Sequence, residues 1–197
     1  MGLVVFGVMG LYLLISIGVV AWAISYAKKK GKSAKRWGWS AALLLFMIPF
    51  WDWIPTVATH QFYCANDSGF WVYKTLDQWK TENPGVMETL ATKQVWPHKY
   101  EGDGESYVIT ESINQRFNLI TKKNGELFLH RWLWVKELVD IHNNEVLARY
   151  VDFSTGNGHI GGEPELRFWL HSDYCPNVQD KAINLGRFIE QLEGAKK

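Results

Sequence analysis

The sequence predicts an α+β protein: a two-helix transmembrane hairpin, then an extracytoplasmic domain in which a C-terminal helix packs on an antiparallel β-meander. Three observations predict it. Residues 3–27 and 37–58 are almost entirely apolar, residues 107–153 alternate apolar and polar side chains between turn signals, and residues 178–192 carry one apolar stripe. Alternation is typical of a half-buried strand, whereas steps of three and four are typical of one helix face.

The two apolar segments are each long enough to cross a membrane, because a hydrocarbon core of about 30 Å needs about 20 helical residues. The loop between them, residues 28–36, holds five lysines, one arginine and no acid. Short basic loops stay in the cytoplasm, so we expect the N-terminus and everything after His60 to lie outside. A signal peptide is disfavoured because Met1 and Gly2 place no charged side chain before the first apolar run.

This topology divides the chain into a membrane hairpin, residues 1–59, and an extracytoplasmic domain, residues 60–197. The second part is long enough for one compact core. The net charge of +1 shows no basic excess that would indicate nucleic-acid binding.

Both cysteines, Cys64 and Cys175, fall on the predicted outer side. Extracytoplasmic compartments permit disulfides, so we expect these two to be joined. In the chain-entropy model, closing a loop of this length stabilises the domain by roughly 4–5 kcal/mol. The alternative is two unrelated buried thiols. Neither cysteine has the spacing of a CxxC redox or zinc motif.

Small residues recur along the first span at steps of three and four. They belong to a run of six recurring positions, four of them small: Gly7, Leu11, Leu14, Gly18, Ala21 and Ser25. Small residues let helix backbones approach closely in lipid. The pattern therefore predicts either the interface of the hairpin itself or a seam that docks onto another membrane protein, with Gly7, Gly18, Ala21 and Ser25 as partner-binding candidates.

Asp52 is an acid within the second span, where acids are costly and often functional. Counted from Arg36 at 1.5 Å per residue, it lies about 24 Å along the helix, near the outer interface. Trp51 and Trp53 flank it, and interfacial belts are rich in tryptophan. Two interpretations remain open: a hydrated interfacial carboxylate, and a partner- or proton-related role.

The outer domain is predicted to consist of strands followed by a helix. A strand over 70–76 precedes a short helix that Asp77 could cap and that ends at Asn83. Asn124-Gly125 is a strong hairpin-turn signal between strands 116–121 and 126–140. A second turn, at 142–144, leads to the strand 145–153. A further candidate strand covers 166–171, and Asn177 could cap the C-terminal helix.

The strand 126–140 has two apolar faces of different character. Leu133 and Val135 point to one face, while Trp132 and Trp134 point to the other, beside His130. If the C-terminal helix covers the leucine and valine face, the tryptophans become candidates for a partner surface, since tryptophan is enriched among binding hot spots. The alternative is a second small core beneath residues 86–104.

Residues 156–161 match the letters of a dinucleotide fingerprint, but no helix pattern follows them, so we interpret residues 156–162 as a loop. We predict no cofactor and no metal. An alternative is a metal or acid/base site formed by the side chains near this loop, although their spacing does not require one: His159, Glu163, His171 and Asp173.

Two stretches resemble small bacterial inner-membrane proteins of unknown function. The first runs from Cys64 to Leu76, with Gly69 and Tyr73-Lys74-Thr75, and the second is the hairpin 139–150. The resemblance implies a bacterial inner-membrane protein with a periplasmic domain, and it implies no activity.

The expected function is a membrane-anchored interaction module, an accessory or assembly subunit without catalysis of its own. Its expected partners are the lipid bilayer and a membrane or periplasmic protein, or a second copy of the chain. Two alternatives remain: an exclusion or immunity protein against phage, toxin or conjugation, and a periplasmic enzyme that uses the His159 and His171 region.

Overall fold

The computed structural model describes residues 2–90, 98–103, 106–156, 170 and 174–192. The chain divides into two compact units, with the boundary between Pro55 and Thr56. Five helices and six strands are present in the described residues: α1 (Gly2–Lys29), α2 (Ala34–Phe50), α3 (Trp53–Asn66), β1 (Gly69–Val72), α4 (Leu76–Glu82), β2 (His98–Gly102), β3 (Tyr107–Ser112), β4 (Phe117–Leu127), β5 (Arg131–Asp140), β6 (Glu145–Thr155) and α5 (Val178–Leu192).

Helices α1 and α2 of the first unit pack as an antiparallel hairpin. The Tyr12 hydroxyl of α1 donates a hydrogen bond to the Leu45 carbonyl of α2. At the other end, Gly38 of α2 lies so close to Ile24 that an added Cβ would come within 3.0 Å of its side chain. Ala23 and Ala27 of α1 are also buried.

The predicted small-residue seam is not the hairpin interface. Gly7, Gly18, Ala21 and Ser25 are all exposed, and a Cβ added to either glycine would meet nothing within 4 Å. The interpretation of the seam as the hairpin contact is therefore wrong. Small residues permit close approach on any face of a helix, and here the tyrosine hydrogen bond and two buried alanines favour a different face.

One helix, over Phe6–Lys29, is long and apolar enough to cross a membrane by length and composition, a test that a signal sequence near an N-terminus also passes. The second predicted span is interrupted. α2 and α3 reach the required length only when they are counted together across a break with a 58° bend. Pro49 and Pro55 lie on either side of the break, and proline removes a backbone donor from a helix.

The second unit contains a six-stranded antiparallel sheet in the order β1-β6-β5-β4-β3-β2. Strands β2 to β6 form a meander, and β1 adds to the free side of β6. The predicted α+β class, with an antiparallel sheet and a C-terminal helix, is confirmed. Residues that pair across strands share a face of the sheet, so the register assigns each side chain to one of two faces.

Helix α5 covers the tryptophan face, not the leucine and valine face. Trp134 pairs with Asp152 across β5 and β6, and the Lys181 ammonium of α5 lies 3.1 Å from that carboxylate. The main core belongs to this face and includes Trp79 of α4 and Leu192 of α5. The face that carries Leu133 and Val135 meets α3 instead, through Tyr63 and Cys64.

The first hairpin turn lies five residues later than predicted, at Leu129 and His130 instead of Asn124 and Gly125. Asn124 and Gly125 are within β4, next to a register shift, and the chain reverses between Leu127 and Arg131. Leu129 and His130 have φ angles of 60° and 55°. Two consecutive positive φ angles are typical of a type I′ turn. The second predicted turn, between β5 and β6, is confirmed.

Thr75, not Asp77, caps α4. Its side chain accepts from the Gln78 amide, and the Gln78 side chain accepts from the Thr75 amide, which forms a complete capping box. This helix buries Trp79 in the core, where its indole donates to Asp140 over 2.8 Å. The same carboxylate pairs with Arg116 at 2.7 Å, so the Trp79 hydrogen bond connects α4 to a buried ionic pair of the sheet.

Candidate functional site

A groove of about 690 Å³ runs along the sheet face that faces away from α5. We call it the arginine groove, after Arg131 and Arg149. Its lining residues come from α3, β1 and its following turn, and β4 to β6: Tyr63, Asn66, Asp67, Trp71, Tyr73, Leu127, Arg131, Leu133, Arg149, Val151 and Phe153.

The strand register places both arginines on this face. Arg131 is two residues before Leu133 on β5, and side chains two residues apart in a strand point to the same side. Arg149 pairs with Trp71 of β1 and with Glu137 of β5. Both arginines therefore lie among apolar side chains of a half-buried sheet face.

The Arg131 guanidinium is held by an aromatic ring. Its central carbon lies 3.5 Å from the ring centroid of Tyr63 and 5.7 Å from that of Phe153. Within the described part of the chain, the buried Nε of Arg131 has no hydrogen-bond acceptor. Stacking on a ring fixes the plane of a guanidinium and leaves its edge for hydrogen bonding.

Arg149 lies at the more open side of the arginine groove. Its Nε is 3.6 Å from Glu137, which also pairs with Lys122 at 2.8 Å. Glu137 does not line the groove, and among the described lining residues Asp67 is the single carboxylate. Two cations and one anion leave the lining with a net positive charge, which favours an acidic ligand.

Large aromatic side chains are exposed beside the groove. Tyr73 is 58% exposed and Trp71 is 40% exposed. Phe128, in the turn that follows the lining residue Leu127, is 81% exposed. Aromatic and arginine side chains dominate the binding energy of protein interfaces, so this composition is typical of a partner-binding surface.

The predicted disulfide is present next to the arginine groove. It joins Cys64 of α3 to Cys175, 111 residues later, with 5.3 Å between the Cα atoms. Both cysteines pack with the groove-lining side chains Tyr63 and Phe153. The bond therefore holds the segment before α5 against the helix that supplies Tyr63.

A buried polar cluster lies on the opposite face, beneath α5. Asp152 is completely buried, and it accepts hydrogen bonds from the Tyr150 hydroxyl at 3.2 Å and from Lys181 at 3.1 Å. Burial raises the pKa of Asp152 above its ordinary value of 3.8, and the hydrogen bond from Lys181 opposes that rise. Burial together with the nearby Asp152 carboxylate raises the pKa of Tyr150.

Of the two tryptophans singled out from the sequence, Trp132 is buried and Trp134 is half-buried. Trp132 is 3% exposed, and its indole donates to the Gly156 carbonyl. The Lys123 ammonium lies 4.2 Å from the Trp132 ring centroid. Trp134 packs against Tyr107 and Tyr174. Trp132 is therefore unsuited to direct contact with a partner, because α5 and these rings occupy that face.

His130 lies in a turn of the sheet, and Asp52 lies at a break between two helices. His130 is half-buried in the β4–β5 turn, and its carbonyl accepts from the Gly156 amide. Asp52 is only 1% exposed and lies at the break between α2 and α3. Burial does not support the hydrated interfacial carboxylate, and a partner- or proton-related role for Asp52 stays a prediction.

The remaining candidates lie outside the described residues. These are His159, Glu163, His171 and Asp173 of the alternative metal or acid/base site, together with the candidate strand 166–171 except Leu170 and most of the loop 156–162.

Sequence reasoning did not find the arginine groove. One signal was available, because Arg131 and Arg149 both stand in phase with apolar residues of their strands. A cation on an apolar strand face is unusual enough to mark a binding site or a buried ion pair. Tyr63 carried no such signal, since its position depends on where α3 meets the sheet.

Comparison with known proteins adds no constraint: no family model, no curated protein and no solved structure matches this chain.

Proposed function

We propose that this protein is a membrane-anchored interaction module, an accessory or assembly subunit of a bacterial inner-membrane complex without catalysis of its own. In this proposal α1, α2 and the part of α3 up to residue 59 form the two-span anchor, and residues 60–197, including the rest of α3, lie in the periplasm. The apolar length of α1 and the disulfide support this placement, because disulfides persist in oxidising compartments.

The observation that carries the proposal is the stacked Arg131 in the arginine groove. A guanidinium stacked on Tyr63, in a groove whose described lining carries two arginines and one carboxylate, supports binding of a carboxylate from another molecule. We therefore propose that the partner inserts an acidic segment into the groove and packs apolar side chains against Trp71 and Tyr73.

The groove assignment is tested in the full-length protein. We expect Arg131→Gln and Arg149→Gln each to lower the recovery of a stoichiometric partner after mild detergent extraction. A charged hydrogen bond is worth about 1.5–3 kcal/mol, so each loss corresponds to roughly tenfold or more in affinity. Quantitative mass spectrometry of the purified complex measures the recovery.

Arg187→Gln is the matched control, since Arg187 is an exposed arginine of α5 that does not line the groove. Photo-crosslinking from position 73 should label the same partner. A protein that purifies alone, or a partner retained equally by all three variants, would contradict the proposal. The identity of the cross-linked protein also separates an accessory subunit from an exclusion or immunity protein.

A further inference from the structure

Three metal-binding side chains meet at the C-terminal half of α3. Cys64 follows His60 by four residues, so both point to one side of the helix. The Nε2 atom of buried His60 lies 3.4 Å from the Cys64 sulfur, and its Nδ1 atom lies 3.8 Å from it. One ligand atom from each of His60, Cys64 and Cys175 falls within 4.8 Å of the others.

These distances suit a tetrahedral zinc ion. With Zn–S near 2.3 Å, Zn–N near 2.0 Å and tetrahedral angles, adjacent sulfur and nitrogen ligands are about 3.5 Å apart and two sulfurs about 3.8 Å apart. The His60–Cys64 distance already matches. After cleavage of the disulfide, the two sulfurs need to separate by roughly 1.7 Å more than their bond length, which side-chain rotation can supply.

The fourth position of such an ion has room for a water molecule or another small ligand. A cavity of about 350 Å³ reaches Cys64, and its lining includes Gln61, Ser68 and Lys181. Lys181 is itself paired with the buried Asp152 carboxylate at 3.1 Å, so it adds no net positive charge to this cavity. Three protein ligands with one open position are characteristic of a zinc site that exchanges ligands.

We propose that the disulfide-reduced form of this protein binds one zinc-class divalent cation through His60, Cys64 and Cys175. A dithiol reductant supplies two electrons and two protons: the Cys64–Cys175 bond breaks, two thiols form, and the reductant becomes a disulfide. Metal binding then releases the two thiol protons and joins both sulfurs and the imidazole to the ion. The disulfide and the metal site are mutually exclusive states of the same residues.

Cobalt(II) titration of the full-length protein in detergent micelles tests the site, because cobalt substitutes for zinc and reports thiolate ligation through its charge-transfer absorption. Oxidised protein should bind no cobalt at this site. After reduction and removal of the dithiol, wild type should bind one ion per chain. His60→Gln should weaken binding at least tenfold, and Cys64→Ser combined with Cys175→Ser should abolish it. His142→Gln, which alters an exposed histidine of the β5–β6 turn, should leave it unchanged.

The reduced chain is also unfolded with urea, with and without zinc. A folded metal site stabilises the native state, so zinc should raise the urea midpoint of reduced wild type and leave that of oxidised protein unchanged. If the reduced chain loses structure without metal, zinc should restore its circular dichroism spectrum. Binding no greater than in the double serine variant, binding insensitive to His60→Gln, or no effect of zinc on folding would each overturn the proposal.

Discussion

Two buried carboxylates, Asp140 and Asp152, are stabilised by different neighbours. Asp140 pairs with Arg116 and also accepts from the Trp79 indole and from the His142 amide. Removing one partner of such a buried pair typically costs about 3–5 kcal/mol. Asp152 has Lys181 and a tyrosine hydroxyl, yet burial still raises its pKa.

The raised pKa of Asp152 predicts how stability depends on pH. Between 3.8 and the raised value, the folded chain holds a proton that the unfolded chain has released, so the free energy of unfolding falls as pH rises. Asp152→Asn removes this contribution. We therefore expect the wild-type unfolding free energy, minus that of the variant, to decrease as pH rises above 3.8, by at most about 1.4 kcal/mol per pH unit.

Urea unfolding of the full-length protein in micelles, followed by tryptophan fluorescence across this pH range, measures the difference. Asp77→Asn, at an exposed position in α4, controls for the loss of one negative charge. A difference that rises with pH, or a slope no larger than that of the control, would contradict the explanation.

At the scale of elements, the β4–β5 hairpin does not turn at its strongest local turn signal. Asn-Gly is the preferred pair for a type I′ turn. Here, however, Asn124 pairs with Leu133 of β5, Gly125 lies in the register shift that follows within β4, and Leu129 and His130 take the positive φ angles. With this register Lys123 lies opposite Trp134, and its ammonium lies over the aromatic rings on that face. Burial across the sheet outweighs the turn preference, because a shift of one residue would reverse every side chain.

A substitution at Leu129 should reduce the conformational cost of its positive φ angle. A non-glycine residue in the left-handed region costs roughly 1–2 kcal/mol, and asparagine tolerates it better than leucine. We therefore expect Leu129→Asn to raise the free energy of unfolding by roughly 1 kcal/mol in urea titration. Phe128→Asn, at the neighbouring exposed position, is the control and should give no gain. Equal effects of the two variants would show that the φ angle at residue 129 carries no cost.

At the scale of the whole molecule, the question is how many times the chain crosses the membrane. α1 meets the length and composition of a span by itself, whereas α2 and α3 meet them only as one bent segment. The basic loop 28–36 follows α1 and precedes this segment. The positive-inside rule predicts that the loop stays in the cytoplasm, and we propose that the bent pair crosses the membrane, which would place the sheet on the other side.

Thiol labelling of whole cells tests the second crossing. With the native disulfide intact, we expect Ser33→Cys in the basic loop to resist a membrane-impermeant maleimide until the cells are lysed. Glu101→Cys, at an exposed position in β2, should react in intact cells. Labelling of both positions, or of neither, before lysis would show that residues 33 and 101 lie on one side and that α2 and α3 do not span.

Some features follow from sequence alone, because their signals are local. Continuous apolar composition predicts α1, alternation predicts β6 and the turn before it, and a 3.6-residue stripe predicts α5. The sequence determines the first residue of α4 less well, because Thr75 and Asp77 are both suitable N-cap residues. The disulfide also followed from sequence, since the chain has only two cysteines.

The tertiary structure decided which residues meet. Arg131 and Arg149 form a groove only because the register of β5 and β6 places them on one face and α3 brings Tyr63 against it. The same packing places His60 beside the disulfide. Composition and periodicity report the environment of each segment along the chain. Contacts between segments depend on register and on the face that each helix covers, and local patterns do not encode these.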